Sequence, residues 1–335
     1  MINSIIGEAV EKKISNRLKR GLDPDFETRG SKGWRYPMVV ERKYQREKID
    51  EIRLIERLVR DEIIPKLPAW VAEIKQYDTR QDSYLSDFVR TFGFLKVTFG
   101  RTITDPKVTN DAEVMANGVN DVGASSFDNQ VKTVLGIAPV RTEPWLANVL
   151  LTSVANNVNL IKTLHADTFK DIENVVLDGF QRGRATRDIA RDIAKKTGAS
   201  KNRAKLIAQD QVGKLTSNLA TRRSTDLGAK RFVWTTSADE RVRASHRALN
   251  GKSFTYKDGA SVDGESNVLP GQPIRCRCTA RVVVSSVGET DSEAGKKITS
   301  EDELKSSLSK EKAREKEFRK ERARLKKGEA PKGLK

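Results

Sequence analysis

The side chains best suited to chemistry are concentrated between Trp234 and Cys278. This segment contains both cysteines of the chain, Cys276 and Cys278, and one of its two histidines, His246. Two thiolates and an imidazole suit zinc, but a tetrahedral site needs a fourth ligand, which would be a carboxylate such as Asp239, or water. Because Cys-x-Cys also lacks the usual two-residue gap, we favour cysteines packed in a small core and a His246 that bonds loop backbone. Zinc is the alternative.

A catalytic use of the same segment is a further alternative. Arg241, Arg243 and His246 could bind and cleave a phosphodiester, and the arginines on either side of Cys276 would favour a thiolate nucleophile. The sequence shows no paired carboxylates at metal-ligand spacing beside them, no Gly-rich phosphate loop and no nucleophile elbow. We therefore expect a protein that is not an enzyme and that needs no cofactor.

A structural role, in which these residues stabilise a loop and take part in no reaction, also accounts for them. The charges of Asp239, Arg241 and Arg243 alternate, which predicts ion pairs and backbone hydrogen bonds that hold a tight loop. Asn250-Gly251 predicts a tight hairpin turn, and Pro270-Gly271 predicts another turn. We interpret the segment as a structural motif that consists of Trp234, Asp239, Arg241, Arg243, His246, Gly251, Cys276 and Cys278.

The rest of the chain is mostly helical in pattern. Apolar residues recur three and four positions apart in 49–63, 84–95 and 145–228, with Pro65 and Pro68 ending the first run. The stretch 100–145 allows short helices or ordered loop between breaks at Asp105-Pro106 and Glu143-Pro144. In the last run, glycines mark predicted helix ends and hydroxyl or acidic residues mark N-caps. The ends are Gly183, Gly198 and Gly228, and the caps are Asp167 or Thr168, Thr186 and Ser200.

Strand patterns follow Gly228. Residues 231–235, 252–256 and 279–285 are predicted strands, separated by a loop at 258–273. The predicted fold class is α+β and predominantly α-helical. An elongated helical N-terminal region precedes a small antiparallel α+β module and a charged helical C-terminal tail. The predicted domains are an N-terminal arm (1–44), a helical region (45–229), the α+β module (230–285), and a polar linker with the tail (286–335).

The charge balance indicates proximity to a polyanion. The chain has 63 Lys and Arg against 46 Asp and Glu, a net charge of +17, and such basic proteins attract phosphates through counterion release. A solvated, salt-bridged helical surface is an equal alternative. Any DNA contact should be sequence-independent. The candidate contacts are cations of the tail, namely Lys320, Arg322, Arg324, Lys326 and Lys327.

Two further expectations concern the cell. No apolar run approaches 18 residues, so we expect no membrane-spanning helix and no membrane contact during assembly. The first residues lack the apolar core of a secretory signal, and two cysteines one residue apart are expected to be reduced thiols, which favours an intracellular site of synthesis.

The order of motifs resembles the Mu F-type minor head proteins of tailed bacteriophages, also called phage head morphogenesis proteins. The resemblance is carried by Asn156-Asn157-Val158-x-Leu160-Ile161, Gly183-Arg184-Ala185-Thr186-x-x-Ile189-Ala190, Ala204-x-x-Ile207-Ala208-x-Asp210-Gln211, Trp234-x-x-Ser237-x-Asp239-Glu240-Arg241-x-Arg243-x-x-His246-x-x-Leu249-x-Gly251, Pro270-Gly271 and Cys276-Arg277-Cys278. It covers residues 145–284 and extends weakly back to about residue 45. The arm and the tail lie outside it.

The resemblance implies a virion component of the phage head, synthesised in the host cytoplasm. Such a protein is associated with the portal vertex and procapsid and supports head assembly and genome packaging or delivery. The resemblance also implies the portal protein and the major capsid or scaffold proteins as partners, packaged double-stranded DNA as a non-specific one, and no established reaction. Two alternatives remain open. One is a metal-dependent nuclease or transferase that uses Arg243, His246, Cys276 and Cys278. The other is a free DNA-binding protein.

Overall fold

The structure is a computed structural model that describes residues 2–20, 34–75, 83–136, 139, 142–284, 287 and 316. The chain divides into two compact units. The helical unit comprises residues 38–118 and 143–212, and the sheet unit comprises residues 1–37, 119–142 and 213–335. The predicted tail helix and its cations from Lys320 to Lys327 lie outside the described residues.

The chain is mainly helical, with a small antiparallel sheet near its C-terminal end, which confirms the predicted α+β class. The helices are α1 (Ile2–Lys19), α2 (Met38–Glu62), α3 (Leu67–Lys75), α4 (Ser83–Thr102), α5 (Asp105–Leu135), α6 (Leu146–Gln181), α7 (Thr186–Asp226) and α8 (Ala244–Leu249). The strands are β1 (Arg231–Thr235), β2 (Ser253–Thr255), β3 (Ala260–Val262), β4 (Glu265–Val268) and β5 (Thr279–Val282). In the part of the chain that the structure describes, no helix combines the length and apolar character needed to cross a membrane.

The core of the helical unit is formed by the apolar stripes that the spacing predicted. Ile52, Ile55 and Val59 on α2 are fully buried, and each such side chain stabilises the fold by about 1.5–3 kcal/mol. Aromatic rings fill the space between the helices. Phe88 of α4 meets Phe180 of α6 at a centroid distance of 5.7 Å and an interplanar angle of 81°, which is a favourable edge-to-face arrangement.

The proline breaks are confirmed, whereas the interpretation of residues 100–145 is wrong. A 3₁₀ turn at Ile64–Lys66 separates α2 from α3, and α5 begins at Asp105. The middle of 100–145 is neither short helices nor loop, because α5 continues unbroken to Leu135. Its glycines obscured the pattern. A β-carbon at Gly118 would lie 3.1 Å from Val40, and one at Gly123 would lie 3.0 Å from Trp34, so they allow close packing where a larger apolar residue would not fit.

Of the three glycines predicted to end helices, two do so and one does not. Gly183 and Gly228 have φ of +60° and +88°, and the residues after them donate back to Gly179 and Ser224 in Schellman closures. Gly198 does not end a helix, since α7 runs through it to Asp226. A glycine inside a helix costs about 1 kcal/mol. Buried side chains on both sides of it offset that cost, namely Ile189, Ile193, Ala204 and Ile207.

The predicted N-caps of these helices are also wrong, although a helix does begin at Thr186: the Ala185 carbonyl accepts the first helical hydrogen bond, so Thr186 follows the cap. Thr168 lies inside α6, where its hydroxyl donates to the Leu164 carbonyl at 2.6 Å. Ser200 lies inside α7, with its hydroxyl oxygen 3.0 Å from that of Thr168. These hydroxyls satisfy their hydrogen-bonding needs between two helices rather than at helix ends. Thr186 is the first residue of α7.

In the sheet unit, β1 is the central strand of an antiparallel sheet with the order β2-β1-β5. Phe232 of β1 pairs with Phe254 of β2 and with Val282 of β5. The three predicted strands are confirmed, β1 with its predicted bounds and β2 and β5 with shorter ones. Strands β3 and β4 form a separate antiparallel pair, which the sequence did not predict.

The predicted hairpin at Asn250-Gly251 is wrong, although β1 and β2 do pair. Helix α8 lies between the two strands, and Asn250-Gly251 turns the chain from α8 into β2. Asn250 has φ −57° and ψ 127°, Gly251 has φ +80°, and Lys252 donates to the Leu249 carbonyl at 3.0 Å. These values describe a type II turn. Its third residue has a positive φ, as in a type I′ hairpin turn, so both turns favour glycine at that position. The predicted turn at Pro270-Gly271 is confirmed, with Gln272 donating to the Leu269 carbonyl.

Candidate functional site

The three rare donors of the sequence meet in one buried cluster of the sheet unit. Nδ1 of His246 lies 3.4 Å from the sulfur of Cys276 and 3.6 Å from that of Cys278. One donor atom from each residue lies within 4.8 Å of the others. The residues are 2%, 5% and 3% exposed respectively. The cluster is thus inaccessible to a bulky substrate, and it has the donor types and spacing of a metal site.

Three short elements place these donors. His246 lies in α8, which begins after Arg243 and ends at Leu249, a residue of the apolar core. The cysteines lie in the loop that leads into β5, and Gly271 in the same loop has φ +91°, a value that favours glycine. Trp234 of β1 packs its ring edge-on to His246 at a centroid distance of 5.6 Å and 90°. The sheet thus provides the surface on which the cluster is built.

The surroundings of Cys276 favour a thiolate. The backbone N–H groups of Gly271 and Cys278 each donate to its sulfur at 3.4 Å. A hydrogen bond from the Cys278 thiol, together with His246, lowers the pKa of Cys276 to about 5, although burial acts in the opposite sense. The same bond and burial raise the pKa of Cys278. The two sulfurs therefore differ in acidity, and Cys276 is the one whose thiolate the surroundings favour.

A carboxylate lies on the opposite side of the imidazole. Nε2 of His246 is 3.4 Å from Oδ2 of Asp263, a residue just after β3. Arg243 contacts the same Asp263 oxygen at 3.4 Å and donates to the Ile274 carbonyl at 2.6 Å. Its guanidinium also lies 3.3 Å from Nε2 of His246. Arg243 thus ties the carboxylate, the imidazole and the cysteine loop together.

Asp239 supports the segment from another direction. Its Oδ1 accepts the backbone N–H of Arg241 at 3.0 Å, and its Oδ2 is 3.8 Å from the Arg277 guanidinium. The ion pairs of the segment are not fully buried, since the side chains of Asp239, Asp263 and Arg243 are 40–44% exposed. These residues hold the loop by backbone bonds and half-exposed pairs.

Helix α7 approaches the cysteine loop closely. A β-carbon at Gly213 would lie 2.9 Å from the Cys276 carbonyl and 3.2 Å from the Gly271 carbonyl. Only glycine permits this contact without displacement. The loop that carries both cysteines is therefore fixed by backbone packing as well as by side chains.

The structure brings together most of the motif that the sequence singled out. Trp234, Arg243, His246, Cys276 and Cys278 surround one point. Asp239 and Arg241 lie in the turn beside it, and Gly251 forms the turn after α8. Sequence reasoning missed Asp263 and Gly213. Asp263 is one of several acidic residues in a polar loop, and Gly213 is one glycine in a long helix, so neither had a distinguishing signal.

Comparison with known proteins places the site in a recognised domain. The family described as Phage Mu protein F like protein matches residues 170–281. An uncharacterized protein of Haemophilus influenzae is 32% identical over 177 residues, which cover 51% of this chain and 39% of that protein. No solved structure matches the chain.

A second relative has an enzyme name. The NAD(+)–arginine ADP-ribosyltransferase EFV of Enterococcus faecalis is 25% identical over 162 residues, which cover 44% of this chain and 33% of that protein. The chain thus spans less than half of the length of either relative. The matched family segment contains α8, β1, both cysteines and the Asp263 loop. Residues 170–281 of this chain are therefore similar to the family described as Phage Mu protein F like protein.

Proposed function

We propose that this protein serves in head morphogenesis of a tailed bacteriophage, as a minor virion component at the portal vertex. The observation that carries the proposal is the Mu F-like domain at residues 170–281. The proposed partners are the portal protein and the major capsid or scaffold proteins. Packaged double-stranded DNA is a non-specific partner, consistent with the net charge of +17.

An exposed apolar surface on α4 supports docking to another head protein. Val89, Phe94 and Val97 are 57%, 56% and 52% exposed, and a β-carbon at Gly93 or Gly100 would meet nothing within 4 Å. These five residues, the α4 surface, lie on the side of the helix opposite its buried Phe88, Phe92 and Leu95. Apolar side chains beside glycines suit a helix that packs closely against a partner. We assign this surface to the portal protein.

A structural rather than catalytic role fits the site. The imidazole and both sulfurs are buried, so a nucleotide or protein substrate would have no access to them. The relative with an ADP-ribosyltransferase name shares only 33% of its length with this chain, so its activity gives no basis for an enzymatic role here. The family domain supports a head protein without turnover.

The proposal is tested by assembly. The chain is co-expressed with the portal, scaffold and capsid proteins of its phage, and procapsids are purified and analysed by quantitative mass spectrometry. We expect the chain in procapsids and in virions at a low copy number. Its absence from both would overturn the proposal.

A separate experiment tests the assignment of the α4 surface to the portal protein. Val89→Ser with Val97→Ser should abolish incorporation and binding to isolated portal rings. Leu151→Ser is the control, because Leu151 of α6 is 65% exposed but lies outside the α4 surface. If the α4 double variant is incorporated like the wild type, the docking surface is wrong while the head role stands. If Leu151→Ser fails as well, the loss is not specific to α4.

A further inference from the structure

We propose that Nδ1 of His246 and the sulfurs of Cys276 and Cys278 bind one zinc ion in the Mu F-like domain. The proposal is independent of the role in the phage head. With Zn–S of about 2.3 Å and Zn–N of about 2.05 Å, a tetrahedral ion separates N from S by about 3.6 Å. The observed separations are 3.4 Å and 3.6 Å. The two N–S separations therefore already match those around a bound ion, and the two sulfurs lie within 4.8 Å of each other.

The groups behind the donors match those of a zinc site. A histidine that binds zinc donates its other ring N–H to a carboxylate or carbonyl, which fixes the ring and its tautomer. Asp263 lies at that position, 3.4 Å from Nε2 of His246. On the sulfur side, the N–H groups of Gly271 and Cys278 point at Cys276, and such bonds stabilise a bound thiolate. The positions of these groups are not explained by core packing alone.

The charges also balance. One Zn²⁺ and two thiolates are neutral together, which makes their burial acceptable. Each sulfur that binds the ion does so as a thiolate, and an imidazole that binds through Nδ1 carries its remaining ring proton on Nε2, on the side of Asp263. The negative charge of Asp263 is in turn compensated by Arg243 at 3.4 Å. His246, Asp263 and Arg243 thus form a chain of contacts that leads outward from the ion.

The fourth position is not filled by another side chain in the structure. In the stretches that the structure describes, no further His, Cys, Asp or Glu joins this group of donors. Water would take the fourth position. Because the cluster links α8 to the loop before β5, we assign the ion a structural role that joins elements distant in sequence.

The first experiment measures metal directly. The full chain is purified without chelators, zinc is measured by inductively coupled plasma mass spectrometry, and cobalt is substituted to observe the thiolate charge-transfer band. We expect one zinc per chain, a cobalt spectrum of tetrahedral dithiolate type, and two thiols that react with a thiol reagent only after chelation. Zinc well below stoichiometry with freely reactive thiols, or a Cys276–Cys278 disulfide, would overturn the proposal.

Variants identify the ligands. Cys276→Ser and Cys278→Ser should each abolish stoichiometric zinc, and stoichiometric zinc in either would overturn the assignment. If these variants do not fold, Asp263→Asn keeps the test decisive, because it leaves every donor in place. We expect it to weaken zinc binding by about 10- to 100-fold in competition with a chromophoric chelator.

Two matched controls accompany these variants. His165→Gln removes the other histidine of the chain, which lies in α6 and contacts Glu51 at 2.9 Å. Asp258→Asn removes a loop carboxylate that bonds Thr255 instead of His246. Both should bind zinc like the wild type. If Asp258→Asn and Asp263→Asn weaken zinc binding equally, Asp263 has no specific role in positioning His246.

Discussion

Gly213 of α7 lies against the backbone of Cys276, with room for no β-carbon between them. An added β-carbon would approach the Cys276 carbonyl oxygen to 2.9 Å, a distance that forces the helix and the loop apart. The close approach couples the long helix of the Mu F-like domain to the loop that carries both cysteines.

Gly213→Ala should therefore destabilise the protein. We expect the free energy of unfolding, measured by urea denaturation, to fall by about 1–3 kcal/mol because of overpacking. Gly198→Ala, in the same helix, is the control, since a β-carbon there meets nothing within 4 Å. It should instead stabilise by about 0.5–1 kcal/mol. Equal effects of the two alanines would contradict the packing argument.

Lys48 supports a buried charge network in the helical unit. It is fully buried, and its ammonium lies 2.5 Å from Glu51 and 2.9 Å from Asp111. Lys48→Met leaves both carboxylates without this partner and should lower the free energy of unfolding by about 3–5 kcal/mol. Lys43→Met on the same helix, where the side chain is 62% exposed, should change it by less than about 0.5 kcal/mol. A Lys48→Met variant as stable as the wild type would show that the network adds nothing to stability.

Asp111 should make part of the stability depend on pH. Burial raises the pKa of Asp111, but hydrogen bonds from Lys48 and Lys107 outweigh it, so its pKa lies below the ordinary value of 3.8. A carboxyl group with a depressed folded-state pKa contributes stability above its unfolded-state pKa and loses it as the pH falls through the folded-state value. Asp111→Asn should cost about 1–3 kcal/mol near neutral pH.

The wild-type advantage over Asp111→Asn should shrink progressively below pH 3.8. Urea denaturation at a series of pH values measures it. Asp50→Asn provides the comparison, because Asp50 is 55% exposed in its pair with Arg53 and should show little difference at any pH. An advantage that is constant down to strongly acidic pH would rule out the proposed linkage.

The local stability of the cysteine loop should depend on the guanidinium group of Arg243. It reaches both Asp263 and the Ile274 carbonyl, and lysine cannot form this fork. With Arg243→Lys we expect the amide hydrogen of Cys276 to exchange about fivefold faster, which corresponds to about 1 kcal/mol of local stability. Arg241→Lys should leave exchange unchanged, since the bond to Asp239 uses the Arg241 backbone N–H. Faster exchange in both variants would indicate general loosening of the segment.

The tail cations should govern binding to DNA. Replacing them together with glutamine should reduce duplex affinity equally for all sequences and lower the slope of log K against log salt by up to about 4. The residues are Lys320, Arg322, Arg324, Lys326 and Lys327. Fluorescence anisotropy at several salt concentrations measures the slope. A variant in which three exposed cations of α2 are replaced, Arg53, Arg57 and Arg60, should keep it. An unchanged slope in the tail variant would exclude the tail as the contact.

The sequence by itself determined the helix-rich class, several boundaries and the similarity of residues 170–281 to the Phage Mu protein F like family. Apolar spacing located α2 and α4, because one side of each helix must be buried. Gly183 and Gly228 marked true helix ends, because the left-handed conformation they adopt excludes most other residues. The order of Trp234, His246 and the cysteines indicated the Mu F-like domain. These signals are local, so they survive in the sequence.

The tertiary structure decided what depends on distant partners. Gly198 and Ser200 looked like a helix end and a cap, but packing on both sides of them keeps α7 continuous. Asn250-Gly251 encodes a turn without indicating which elements it joins. Only the fold shows that Asp263 faces His246, that Asp239, named from the sequence as a possible fourth zinc ligand, lies near Arg277, and that Gly213 closes against the Cys276 loop. Such contacts depend on which chain segments meet in space, and a local pattern carries no record of that.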